Sequence, residues 1–228
     1  MNNEKGLPHH LGIILDGNRR WAKAHNLPSL EGHRKGFETV KSIIQAAKNK
    51  DIKILTLFCF STENWNRSTE EVNYLMDIFR KSLSDYFAEF NKKDVRINII
   101  GQKNRFAKDI QELMKKVEEE TKDNAAMTLN LALSYGGRAE IVDAVKKIVK
   151  SGINPDAITE ETVKKNLWTS DVDLVIRTGG EQRLSGFLLW QSAYSEFLFV
   201  NKFWPEFSEA DLDAALANYA LRQRRFGK

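Results

Sequence analysis

Cysteine is nearly absent: Cys59 is the single one in 228 residues, so no disulfide can close within the chain and a reducing compartment is the simpler expectation. No apolar run approaches the ~20 residues of a membrane-spanning helix, and the polar opening MNNEKGLPHH lacks the apolar segment of a secretory signal. A soluble protein is expected, cytoplasmic and at most loosely associated with a membrane. A dominant charge of one sign is missing too. The 35 basic residues are mixed among 31 acidic ones, and only Arg222, Arg224, Arg225 and Lys228 form a basic cluster, so no nucleic-acid partner is expected. Several site signatures are likewise absent. Without GxxxxGK[ST] or GxGxxG the chain is neither a P-loop nucleotidase nor a dinucleotide-binding Rossmann protein; without zinc spacing or GxSxG it is neither a zinc site nor a nucleophile-elbow hydrolase. No linker divides the sequence, and 42% apolar with 29% charged residues suits one packed domain over residues 1–228.

What is present centres on LGIILDGNRRW, Leu11 to Trp21, where an apolar run gives way to Asp16, Gly17, Asn18, Arg19 and Arg20. This reads as a buried strand delivering a polar loop. The same pattern recurs: ILTLFCF at Ile54–Phe60 before Ser61–Arg67, Met127–Leu133 before Ser134–Arg138, and Val172–Ile176 before Arg177–Gly180. Val95–Ile100 and Phe197–Val200 complete about six strands. Between them lie helical periodicities: His33 to about Lys50; the long face Val72, Leu75, Met76, Phe79, Leu83, Phe87, Phe90 after a Ser68/Glu71 capping box; Ile110–Val117; Ile141, Val142, Val145, Ile148, Val149; a short stretch near Thr159; and Leu212–Tyr219 capped at Ser208. Strands alternating with helices imply an α/β fold with a mostly parallel sheet flanked by helices.

In such a sheet the loops after the strands emerge on one edge, where open α/β sheets bind ligands. Asp16, Asn18, Arg20, Ser61, Asn64, Arg67, Arg138 and Arg177 are thereby expected to line one cleft. Its excess of guanidinium and amide groups points to a phosphate, and Asp16 beside it to a magnesium ion. The apolar face after Arg67 admits two readings: plain core, or a wall for a greasy partner of that phosphate.

DGNRRWA at Asp16–Ala22, GH at Gly32–His33, FSTENWNR at Phe60–Arg67, NLALSYGGR at Asn130–Arg138 and DLVIRTGGEQRLSGFLLWQSAYSEF at Asp173–Phe197 resemble the cis-prenyltransferases, in particular bacterial undecaprenyl pyrophosphate synthases. The motifs lie in order over nearly the whole chain, and DDxxD of the trans-type synthases is absent. The resemblance implies the cis-prenyltransferase fold and repeated condensation of isopentenyl pyrophosphate onto an allylic pyrophosphate, usually farnesyl. It implies that Asp16 and Glu196 serve Mg2+, and that Gly17, Asn18, Arg20, Trp21 and His33 shape the allylic site. Arg177, Arg183 and Ser185, with Leu184 between them, would take isopentenyl pyrophosphate. Asn64 would stand at the proton-removal position, as an orienting group because a neutral amide is too weak a base. Ser61, Thr62, Glu63, Trp65 and Arg67 would be its substrate-binding neighbours, although for Trp21 and Trp65 alone core packing is the safer reading. A homodimer is implied as well, with Arg225 and Gly227 reaching the partner's site and the lipid product passed to a membrane surface. Ser29, Gln182 and Gly186 depart from the family pattern, and Arg19, where Gly is common, is a candidate to supply the charge missing at Ser29. Within the family the alternatives are a short-chain synthase and a non-catalytic subunit; Asp16, Asn64 and Arg177 argue against the second.

Overall fold

The computed structural model describes residues 6–85, 92 and 94–222. Six strands form one sheet in the order β3-β4-β2-β1-β5-β6, every pairing parallel. The strands are β1 (His10–Ile14), β2 (Ile54–Ser61), β3 (Val95–Ile100), β4 (Met127–Tyr135), β5 (Leu174–Arg177) and β6 (Glu196–Phe199). The helices are α1 (Asn18–Ala24), α2 (Ser29–Asn49), α3 (Thr69–Asp85), α4 (Lys108–Glu120), α5 (Gly137–Lys150), α6 (Glu160–Asn166) and α7 (Glu209–Ala220). The α/β reading and the parallel sheet hold. β3 spans the residues read from the sequence; β2 runs one residue further, β4 two, and β5 and β6 are displaced by one or two. α2 begins four residues before His33, because Pro28 sits at its N-cap with extended backbone and fixes the entry.

Alternation along the strands splits the core. Leu11, Ile13, Leu55, Leu57, Ile97 and Leu129 pack with Val40 and Ile44 of α2 and Leu75 and Leu83 of α3. On the opposite face Ile14, Val175, Ala132, Tyr135, Phe187 and Leu188 form a second cluster. Between β2 and β4 the register shifts at Phe58/Phe60 and again at Phe60/Ser61. This bulge at Cys59 changes the phase of the strand: Phe58 stacks on Phe187 on one face, whereas Phe60, two residues on, packs with Trp65 and Phe79 on the other. Cys59, read as core, is half-buried against the first cluster and faces a cavity described below.

One expectation is met only in part. Of the apolar positions that mark α5, Ile148 is buried and Ile141 half-buried, whereas Val142, Val145 and Val149 are exposed and Glu140 and Ala144 take the inward places. Glu140 is drawn inward because its carboxylate accepts hydrogen bonds from Tyr135, Gln191 and the Trp168 backbone, which offsets its desolvation.

A polar row crosses the sheet near its amino edge. His10, fully buried, sets Nδ1 2.9 Å from the Asp171 carbonyl and Nε2 2.7 Å from Thr56 Oγ1. Since a carbonyl only accepts, Nδ1 carries the proton and Nε2 accepts from the Thr56 hydroxyl. Thr56 Oγ1 in turn accepts from Asn130 Nδ2 at 2.9 Å, and Asn130 Oδ1 accepts from Asn98 Nδ2 at 3.2 Å. Burial therefore pushes the His10 imidazole down to about 4 despite the nearby Asp171 carbonyl and Asp173 carboxylate. A depressed pKa means that the unfolded chain binds the proton more readily. Stability is accordingly full above ~6.5 and falls by about 3 kcal/mol as pH drops toward the folded-state value. Denaturant unfolding between pH 7 and pH 4 should show this slope, and His10→Gln should flatten it; an unchanged slope would show that other groups carry it.

Candidate functional site

β1 and β5 are neighbours, so the loops that leave their carboxyl ends meet. Asp16 N–H donates to Thr178 Oγ1 at 3.1 Å, and the Thr178 hydroxyl donates to the Asp16 carbonyl at 2.7 Å. Gly17 follows with φ +108°, a backbone no side chain adopts easily, and a Cβ there would lie 2.7 Å from the Phe203 ring. The chain can thus turn sharply into α1. This places the Asp16 carboxylate against Arg177 Nη2 at 2.8 Å and Arg20 Nη2 at 3.1 Å. Arg177 is almost wholly buried; it also donates to Ser185 Oγ at 2.9 Å and to the Arg183 carbonyl, leaving Nε without a partner among the described residues.

A second carboxylate lies close by. Ser68 and Glu71 make half of the expected capping box: Glu71 N–H donates to Ser68 Oγ at 3.3 Å. The Glu71 carboxylate does not return to the helix start. It takes His33 Nε2 at 3.0 Å and Arg67 Nη1 at 2.9 Å, with Arg19 4.0 Å away. Burial pushes the Glu71 carboxyl up, but Arg67, His33 and Arg19 together outweigh it and hold it below its ordinary range. Burial likewise dominates at His33, lowering its imidazole pKa despite Glu71. In the intervening 3-10 turn, Thr62–Asn66, Asn64 Oδ1 accepts the Ser61 N–H at 3.1 Å and closes a capping box, so Asn64 braces its own loop. Trp65 donates to Ser134 Oγ at 2.9 Å and packs edge-on against Phe60 and Phe106.

These groups ring the mouth of a cavity of about 1010 Å³. Asp16, Asn18, His33, Ser61, Arg67 and Arg177 are at its polar end; Val40, Ile44, Leu75, Phe79, Leu83 and Leu129 line the apolar part between α2, α3 and the sheet. The apolar face of α3 is therefore core and cavity wall at once. A smaller, polar cavity of about 820 Å³ shares Asp16, His33 and Arg67 and adds Arg19, Arg20, Lys23 and Ser29. Arg19 and Ser29 thus face the same space.

Of the residues singled out by sequence, Asp16, Gly17, Asn18, Arg19, Arg20, His33, Ser61, Thr62, Glu63, Asn64, Arg67, Arg177 and Ser185 line one cavity or the other. Trp21 lines neither cavity, and its Nε1 donates to Glu206 at 3.1 Å. Arg183 offers its carbonyl to Arg177 while its side chain pairs with Glu181, and Leu184 packs against the second core cluster. Glu196 requires correction. It starts β6 in register with Leu174, whereas Arg177 ends β5, so about 10 Å of strand separates it from the Asp16 end. Its carboxylate is occupied by Arg222 at 2.7 Å; within one subunit it does not join Asp16. Arg225, Gly227, Phe87 and Phe90 lie outside the described residues. Sequence reasoning passed over Thr178 and the true partners of Glu71.

No group of three or more metal-ligand side chains occurs among the described residues. Asp16 alone, partly exposed at the mouth, fits a magnesium ion, which commonly uses one or two carboxylates and completes its shell with waters and substrate phosphates.

The chain belongs to the cis-prenyltransferase family: the profile described as "Putative undecaprenyl diphosphate synthase" matches residues 14–227. An isoprenyl transferase of Fusobacterium nucleatum is 46% identical over 226 residues, covering 98% of this chain and 97% of its own. A lavandulyl diphosphate synthase from Lavandula x intermedia, solved with dimethylallyl diphosphate, superposes with a TM-score of 0.95 at 40% identity, covering 99% of this chain and 100% of that one. A probable undecaprenyl diphosphate synthase from Campylobacter jejuni does so at 0.84 and 33% identity, covering 100% of both. The protein is a prenyltransferase enzyme, and enzymes of this type generally require a divalent metal.

The Glu71 cluster makes a directional prediction. Glu71→Gln removes the charge that favours the His33 imidazolium while Arg67 and Arg19 remain. The His33 pKa should fall further in an NMR titration; a rise would break the assignment of Glu71 as its stabilising partner.

Proposed function

We propose that this enzyme condenses isopentenyl pyrophosphate units onto an allylic pyrophosphate, farnesyl pyrophosphate first, to give a polyprenyl pyrophosphate of undecaprenyl length for a cell-wall carrier lipid. The observation that carries the reading is a guanidinium-rich mouth opening into an apolar cavity between α2, α3 and the sheet. A charged head and a greasy tail need those two environments side by side. In each cycle an allylic carbon–oxygen bond breaks, a carbon–carbon bond forms and one proton is lost. Arg177, preset by Ser185 and the Arg183 carbonyl, takes the pyrophosphate of isopentenyl pyrophosphate. The allylic pyrophosphate lies toward Gly17–Arg20 and His33, where Arg19 faces Ser29 and supplies cationic charge. A magnesium ion at Asp16, when bound, offsets charge on the departing pyrophosphate. Asn64 orients the reacting end, since a neutral amide whose oxygen already accepts the Ser61 N–H is no base.

The enzyme acts as a homodimer in the cytoplasm and passes its lipid product to a membrane surface. The uncovered Val142, Val145 and Val149 stripe supports an interface between subunits. No helix among the described residues is long and apolar enough to cross a membrane. A short-chain product is the second reading, favoured by the likeness to the lavandulyl enzyme. Incubation with farnesyl pyrophosphate, labelled isopentenyl pyrophosphate and magnesium, followed by product sizing, tests both. The expected product is of undecaprenyl length; one or two additions only would establish the short-chain reading, and no incorporation would remove both. Asp16→Ala should lose at least a hundredfold in kcat.

Leu83 is buried and lines the apolar cavity from α3. Leu83→Ala should shift products to longer chains. Unaltered product length with stability lowered by ~2–5 kcal/mol would assign Leu83 to the core alone.

A further inference from the structure

Among the described residues four arginines line the main cavity, and they are of two kinds. Arg67 and Arg177 are committed to carboxylates, Glu71 at 2.9 Å and Asp16 at 2.8 Å. Arg105 and Arg138 are exposed, and neither guanidinium has a hydrogen-bonding or ion-paired partner among the described residues. The two come from adjacent loops. Arg105 follows β3 and Arg138 begins α5 after β4; β3 and β4 pair as far as Ile100 and Ala132, and Gln102 N–H donates to the Ser134 carbonyl at 3.1 Å, tying the loops together.

Arg105 is also oriented. Its guanidinium carbon lies 5.1 Å from the centre of the Trp65 ring, and that ring is fixed by Ser134 Oγ, Phe60 and Phe106. A guanidinium held over an indole keeps its in-plane N–H donors free, which is the arrangement an oxyanion needs. Among the described residues the carboxylates lining the cavity are Asp16, already paired, and Glu63, which accepts from the Thr62 hydroxyl at 2.9 Å. The β3–β4 side of the mouth thus carries two unpaired cations against one carboxylate.

We propose that Arg105 and Arg138, whose guanidinium groups Asp16 and Glu71 do not engage, form a second anion site at the cavity mouth for a phosphate or pyrophosphate group; the start of α5 also abuts the Arg183–Ser185 segment, Gly137 N–H donating to the Gly186 carbonyl at 2.7 Å. The site depends neither on product length nor on a metal. Its phosphate has two sources: free pyrophosphate in solution, or the headgroups of an anionic bilayer pressed against the mouth.

The test compares the unaltered chain with Arg105→Gln/Arg138→Gln in chelator, by dialysis against radiolabelled inorganic pyrophosphate and by co-sedimentation with phosphatidylglycerol-containing vesicles. For the free anion, the variant binds one pyrophosphate fewer per chain than the unaltered protein, or the weakest dissociation constant rises ~10-fold or more per arginine. For the headgroup, vesicle binding falls in the variant while pyrophosphate binding is unchanged. No change in either measurement overturns the proposal. Arg138→Gln alone, at an exposed position away from the aromatic cluster, carries the same test if the double variant melts lower.

Discussion

The contact between Asp16 and Arg177 joins the carboxyl ends of β1 and β5, and much of the mouth is arranged around it. A guanidinium buried to this degree is tolerable only with a counter-charge, since an unpaired buried charge costs several kcal/mol. Asp16 is therefore first a structural counter-charge. It neutralises Arg177, and Arg177 in turn holds the Arg183–Ser185 segment over the mouth. Thr178 fixes the Asp16 backbone on one side, and Gly17 releases the chain into α1 on the other. An anion arriving at Arg177 must share it with a carboxylate, an arrangement that suits a substrate bringing its own cation.

The two cavities meet at a wall made of Asp16, His33 and Arg67. Glu71 stands behind that wall and ties α2, through His33, to the Ser61–Arg67 loop, through Arg67. Positive charge is thereby held in place without being wholly neutralised, because Glu71 alone serves Arg67 and the more distant Arg19, while His33 only hydrogen-bonds it. Electrostatic preorganisation of this kind avoids reorienting charges when a pyrophosphate binds or leaves.

Much of this was legible in the sequence because buried parallel strands read as continuous apolar runs, and their loops necessarily share an edge. Periodicity announced α5 as well, but a period does not state which face is inward; the hydrogen bonds of Glu140 decided that, and they involve Gln191, far along the chain. The Ser68/Glu71 pattern marked the start of α3 correctly, while the partner of its carboxylate, His33, lies on another helix. Thr178 was hidden for the same reason, since its role exists only where β1 and β5 meet. Glu196 was displaced by register: a motif gives residues in order, and only strand pairing shows at which end of the sheet each one stands.

The bulge at Cys59 sets the timing of everything that follows on β2. By placing Phe60 on the α3 side, it aims the Ser61–Arg67 loop and seats Trp65 against Phe106 and Ser134. Were alternation strict across Phe58, Cys59 and Phe60, Phe60 would join Phe58 on the Phe187 face and the loop would turn away from α3. The bulge acts as a length adjuster: Cys59 and Phe60 of β2 stand against Leu133 of β4, so the strand carries an odd residue and still delivers its loop toward α3.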